Sequence, residues 1–144
     1  MPAPSTMAVL APGFALVALT FAVMAVMYAR RFAQMRRDAI APQAVATSAQ
    51  SARLLTDSAA ADNFRNLLEL PLLFYVALLT AVAAGQGGTA VVALAWAFVA
   101  TRVLHSGFQC LGNRVVPRFL SFIAGAAVLL SLWGRLAWGV WLHG

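Results

Sequence analysis

The chain has 144 residues, of which 62% are hydrophobic and only 10% charged, with a mean hydropathy of +0.84. A soluble domain carries about 25% charged residues, so a water-soluble globule, a disordered chain, a coiled coil and collagen are excluded; the single cysteine, Cys110, excludes a disulfide scaffold and a cysteine metal cluster. The net charge of +6 sets ten arginines, with no lysine, against four acidic residues, and the arginines stand mainly where apolar runs end, which reads as a membrane topology signal rather than a nucleic-acid face.

Residues 7–29 form an uncharged run long enough to cross a bilayer, since about 20 helical residues at 1.5 Å each cover 30 Å. Its arginines follow the run instead of preceding it, so an uncleaved span is expected rather than a signal peptide. Residues 30–57 are polar, rich in Ala, Ser, Thr and Gln, and interrupted by Pro42. Thr56 or Asp57 is the expected cap of a helix starting near Ser58. The charge-free stretch 70–101 is too long for one comfortable span, and Gly85-Gln86-Gly87-Gly88 divides it. Spans are expected at about 64–84 and 89–110. A turn follows over Gly112 to Pro117, with Pro117 suited to the first position of the last helix, and the fourth span covers about 118–142.

The predicted architecture is all-α: a single domain, 1–144, folded as an integral membrane four-helix bundle. The segment between spans one and two carries Arg30, Arg31, Arg36, Arg37 and Arg53, and the turn after span three carries Arg114 with Arg118 at its edge. The positive-inside rule places both in the cytoplasm and both termini outside. Trp133, Trp138 and Trp141 form an interfacial belt at the outer end of span four. Arginine without lysine, with much alanine, suggests a bacterial inner membrane.

A charge at the bilayer centre costs about 2.5–3.5 kcal/mol on insertion scales, so ionisable groups at membrane depth mark a site. Glu69, Arg102, His105 and Arg118 share one depth near the cytoplasmic end. Arg65, Asn66 and Glu69 lie within one helical turn, and Arg102, His105 and Gln109 fall on one stripe. A purely structural reading pairs Glu69 with Arg102 or Arg118, snorkels Arg65 and Arg114 to the headgroups, and leaves His105 as a packing residue. Cys110 reads as a structural thiol, Arg135 as a snorkelling interface residue and His143 as solvated. Gly134 and Gly139 allow close helix approach. The chain has no phosphate-binding loop, no dinucleotide fingerprint and no metal motif.

The segment Asn63-Phe64-Arg65-Asn66-Leu67-Leu68-Glu69-Leu70-Pro71 resembles the Asn-x-x-Glu step, followed closely by proline, of the MAPEG family, the membrane-associated proteins in eicosanoid and glutathione metabolism. Arg102-Val103-Leu104-His105, then Arg114, then the stretch from Arg118 to Gly125, is similar to its microsomal glutathione transferase and prostaglandin E synthase branches. The resemblance implies a homotrimer of four-helix bundles with glutathione bound between subunits near the cytoplasmic face. It implies glutathione contacts at Arg65, Asn66, Glu69, Arg102, His105, Arg114 and Arg118, with the ligand's amino group at Glu69 and the catalytic, thiolate-stabilising role at Arg118. The chain departs from the family pattern at Asp62, where arginine is frequent, at Gln109, where tyrosine is common, and at Leu70, which is tyrosine in leukotriene-making relatives.

The function expected is a membrane-embedded glutathione-transferase-like activity that conjugates or reduces lipophilic electrophiles, with glutathione as thiol co-substrate. The alternatives are a non-catalytic MAPEG-fold lipid-binding or accessory protein, and a small proton-coupled exporter using Glu69. The expected partners are the lipid bilayer, a lipophilic small molecule and two further copies of the chain, with no nucleic acid and no metal.

Overall fold

A computed structural model describes residues 5–143, except the side chain of His143, so the reading of that residue as solvated lies outside the described residues. It contains α1 (Thr6–Arg37), α2 (Ser48–Leu54), α3 (Ala59–Ala83), α4 (Thr89–Gly112) and α5 (Val115–His143), with one 3-10 turn at Pro42–Val45. Among the described residues there is no strand. Helices α1, α3, α4 and α5 are each long and apolar enough to cross a membrane.

Helix α1 starts where the Ser5 hydroxyl accepts the amide of Ala8 at 3.3 Å, an ordinary N-cap. Val9, Pro12, Leu16, Val23 and Met27 are buried at helical spacing, while Phe14 and Phe21 stay exposed on the outer side. At 32 residues the helix is about 48 Å long, well beyond a bilayer core. It passes the expected end near residue 29 because residues 29–37 are largely good helix formers, and Arg36 and Arg37 suit the negative end of the helix dipole.

The polar segment after α1 holds a short helix. Thr47 and Gln50 form a reciprocal capping box that starts α2, with the Thr47 amide donating to Gln50 Oε1 at 3.0 Å. Gln34, buried on α1, fastens the end of this segment: its Nε2 donates to Leu54 O at 3.2 Å and Thr56 Oγ1 at 3.1 Å. The cap of α3 is Ser58, not Thr56 or Asp57. Those two are engaged elsewhere, Thr56 by Gln34 and Asp57 by Arg30 at 3.6 Å.

The glycine break falls as expected, with α3 ending at Ala83, Gly85 at φ +63° and α4 beginning at Thr89. The last helix begins at Val115, so Pro117 is its third residue rather than its first. The first four helical amides have no intrahelical carbonyl to bond, so proline is tolerated there. Arg114 and Arg118 are joined through it, the Arg118 amide donating to Arg114 O at 3.2 Å.

The core runs along the bundle axis through Leu16, Phe74, Leu78, Phe98, Leu132 and Leu136. Phe74 and Phe98 stack at 4.6 Å between centroids, joining α3 to α4. Helix α4 packs most extensively on α5, and α1 on α3. Large side chains such as Leu72, Leu79, Leu104 and Leu130 point outward, as a hydrocarbon surround permits.

Candidate functional site

One end of the bundle is polar, and α3, α4 and α5 each bring side chains to it. Asn66 on α3 reaches across to α4: its Nδ2 lies 3.5 Å from His105 Nε2 and 3.3 Å from Gln109 Oε1. His105 Nδ1 lies 3.0 Å from the Arg118 carbonyl of α5. A carbonyl only accepts, so Nδ1 carries the proton and Nε2 is left to accept from Asn66. Arg102, His105 and Gln109 are all buried, which is the single inward stripe their spacing predicts.

A cleft of about 480 Å³ opens on this network. Asp62, Arg65, Asn66, His105, Gln109 and Arg118 supply its polar wall, and Phe119 and Phe122 its apolar one. Arg118 is half-buried, and its Nη1 donates to Asn113 Oδ1 at 2.6 Å. Asn113 adopts the left-handed conformation (φ 44°, ψ 41°) that ends α4, which turns its amide toward the start of α5. Behind the cleft, Ser106 Oγ donates to Asn63 Oδ1 at 3.3 Å, and Arg30 Nη2 donates to Cys110 O at 2.6 Å. Cys110 thus sits in a structural contact, its sulfur 3.4 Å from Asn63 Nδ2.

Arg102 lies deeper, with only 1% of its surface exposed. Its Nη2 donates to the carbonyls of Ser121 at 3.1 Å and Phe122 at 3.2 Å. The guanidinium carbon is 5.3 Å from the ring centroids of both Phe98 and Phe122. Nε and Nη1 have no hydrogen-bond partner among the described residues. Gly125 of α5 makes the room, because a Cβ there would overlap the guanidinium.

The pairing of Glu69 with Arg102 or Arg118 is not formed. Among the described residues the ion pairs are Arg30–Asp57, Arg37–Asp38 and Arg65–Asp62. The reason is helical phase: Glu69 is two residues past buried Leu67, about 200° round α3, and is exposed beside Leu68, Leu72 and Leu73. The cleft therefore gathers Arg65, Asn66, His105 and Arg118. Glu69 lies on the outer face, Arg102 lies inside the bundle, and Arg114 is exposed in the α4–α5 turn.

The family model for the MAPEG family matches residues 9–138, nearly the whole chain. The chain belongs to the MAPEG family. It is accordingly an integral membrane protein of the family concerned with glutathione and eicosanoid metabolism, built as a four-helix bundle. No curated protein and no solved structure matches it.

The positions that depart from the MAPEG pattern have structural work. Gln109 accepts from Asn66, Leu70 packs against the core, and Asp62 lies 3.6 Å from Arg65. Sequence reasoning missed Asn113 and Gly125. The Gly112-Asn113 pair is a recognisable left-handed helix stop, so Asn113 was findable. Gly125 had no local signal, because its partner is 23 positions away on another helix.

Proposed function

We propose that this MAPEG protein binds glutathione at the cleft and either conjugates it through sulfur to lipophilic electrophiles or reduces them, two glutathiones then being oxidised to the disulfide. The observation that carries this reading is Arg118, whose guanidinium is held at the cleft by Asn113 and flanked by the apolar Phe119 and Phe122. A free thiol has a pKa of about 8.5, and an adjacent guanidinium lowers it by favouring the thiolate. The first turn of α5, with its unbonded amides, favours negative charge at the same place. In conjugation the thiolate sulfur attacks the electrophilic carbon, the leaving group departs with its bonding electrons, and the thiol proton passes to water at the open mouth.

The cleft also fits the rest of glutathione. Arg65 and Arg118 can grip carboxylates, and Asn66 and Gln109 present amides. Arg114 extends the positive rim, and Arg102 meets the α5 carbonyls from inside the bundle, away from the ligand. We assign Glu69 to a boundary with a neighbouring copy, because an exposed carboxylate among outward leucines is costly against lipid. That assignment supports a homotrimer. Arg30, Arg31, Arg36, Arg37 and Arg53 lie at the same end as the cleft, which supports a cytoplasmic opening and outward termini, in a bacterial inner membrane. A second reading, a non-catalytic lipid-binding or accessory MAPEG protein, is favoured by the Asp62 contact to Arg65, which engages one of the two cleft guanidiniums.

The test is glutathione binding and glutathione-dependent turnover of a lipophilic aryl halide by the purified full-length protein in detergent. Saturable binding with product formation supports the transferase; absence of both supports the accessory reading.

A further inference from the structure

The linker between α1 and α3 forms a second cavity, of about 320 Å³. Arg31 of α1, Ser48 and Ser51 of α2, Asp57 ahead of α3, and Asp62 and Arg65 in its first turns supply the polar lining. The thiol cleft shares Asp62 and Arg65 with it, but neither Arg31 nor α2. We propose that this cavity binds the headgroup of a monoanionic, polyol-bearing phospholipid, with Arg31 on the phosphodiester and the acyl chains along α1 and α3.

The charge of the lining selects the ligand. Asp62 lies 3.6 Å from Arg65, and Asp57 lies 3.6 Å from Arg30, which approaches from outside the lining. Both carboxylates are therefore matched. Arg31 is partly buried and has no carboxylate partner among the described residues. Three guanidiniums, Arg30, Arg31 and Arg65, thus face two carboxylates, which leaves one positive charge in excess. A phosphodiester carries one negative charge and neutralises it. A zwitterionic headgroup would leave the excess in place and bring an ammonium among the guanidiniums.

The rest of the lining suits hydroxyl groups. At 3.6 Å neither ion pair is a close hydrogen bond, and an ionised carboxylate offers about four acceptor positions. The Asp57 and Asp62 side chains are 46% and 47% exposed, so both can accept from a headgroup polyol. Ser51 Oγ donates to Val45 O at 3.1 Å and keeps its lone pairs, and Ser48 adds a second hydroxyl.

Depth points to a lipid rather than a free phosphodiester. Arg31 closely follows the uncharged run 7–29. Tyr28 and Phe32, on either side of it in sequence, are exposed and stack at 6.1 Å, as aromatics at a membrane interface do. Toward the bilayer, Phe21 on α1 and Leu68 and Leu72 on α3 are exposed. Phe21 is ten residues from Arg31. That is about 15 Å along the helix, the depth of one leaflet of a 30 Å core.

The experiment measures binding of labelled lipid to the full-length protein in a non-ionic detergent. The probes are phosphatidylglycerol and phosphatidylcholine with the same acyl chains, and glycerophosphoglycerol is the soluble competitor. Wild-type protein is expected to prefer phosphatidylglycerol by about fivefold, the share of one arginine near a membrane surface. Arg31→Gln is expected to erase the preference. Arg36→Gln, which removes an exposed arginine outside the cavity, is expected to keep it. Equal losses in the two variants, or none in Arg31→Gln, would reveal diffuse attraction and overturn the site. Equal binding of both lipids by wild-type protein also overturns it, and this readout needs no variant. Displacement by glycerophosphoglycerol at concentrations matching the lipid overturns the lipid assignment in favour of a free phosphodiester. All of these readouts are independent of thiol binding.

Discussion

His105 Nδ1 donates to the carbonyl of Arg118 across 3.0 Å, so the imidazole of α4 holds the backbone of the residue whose side chain reaches the cleft. The same arginine is held at its other end, where Nη1 meets Asn113 Oδ1 at 2.6 Å. Arg118 is thus fixed at backbone and guanidinium by two different residues, one buried and one in the turn. Preorganisation of this kind makes a charge effective, since no reorganisation is needed as the thiolate forms.

Arg118→Leu is therefore expected to reduce thiol-dependent turnover by about 10²–10³-fold, the cost of losing a positioned electrostatic stabiliser. The bound thiol should titrate at higher pH in the variant. Arg135→Leu, an exposed position toward the other end of α5, is the control and should leave turnover nearly unchanged. Steady-state rates and the ultraviolet absorbance of bound thiolate against pH measure both. Equal losses in the two variants would remove the special claim of Arg118.

Asn113 acts through Arg118 and is a positioning residue. Asn113→Gly keeps the left-handed backbone, which glycine adopts freely, and deletes only the amide. We expect about a tenfold fall in kcat/KM with an unchanged thermal midpoint. A fall in thermal midpoint with kcat/KM intact would make the residue a helix stop and nothing more.

Most of the fold was legible because span length, glycine breaks and arginine placement are local properties. Gly85 and its neighbours mark the α3–α4 turn without any tertiary information. Helix α2 was legible too, through Thr47 and Gln50, yet the polar composition around them hid the capping box. The site was harder. Spacing put Arg102, His105 and Gln109 on one stripe, and the structure buries all three. Spacing alone gave Glu69 the same depth as Arg102 but not the rotation of α3, which turns the carboxylate outward. Partner choice depends on helix phase relative to neighbours, and that is a tertiary quantity.

Topology is the next expectation. Reporter fusions placed after Gly144 and within residues 43–51 should report opposite sides of the membrane, with the internal site cytoplasmic. The internal site falls in the segment of α2 and its 3-10 turn, which Gln34 fastens to the end of α1 beside the arginines. A C-terminal reporter active only in the cytoplasm would reverse the orientation and turn the cleft outward.

The last expectation concerns Arg102 and Gly125, which share one small space. Gly125→Ala forces a Cβ onto the guanidinium, and overpacking of this kind costs about 1–3 kcal/mol. Arg102→Met behaves differently. Among the described residues the guanidinium meets no carboxylate and two of its nitrogens no hydrogen-bond partner, so its desolvation is poorly compensated. The carbonyls of Ser121 and Phe122 lie within α5 and keep their helical bonds when it is removed. An apolar side chain of similar length, between Phe98 and Phe122, is therefore expected to be neutral or stabilising. In the double variant the alanine methyl meets a flexible thioether, so most of the Gly125→Ala penalty should disappear. Thermal midpoints of the four proteins in one detergent complete the cycle. Additive effects would show that the two positions do not compete for the same space, and a large loss in Arg102→Met alone would show that the buried charge holds the bundle together.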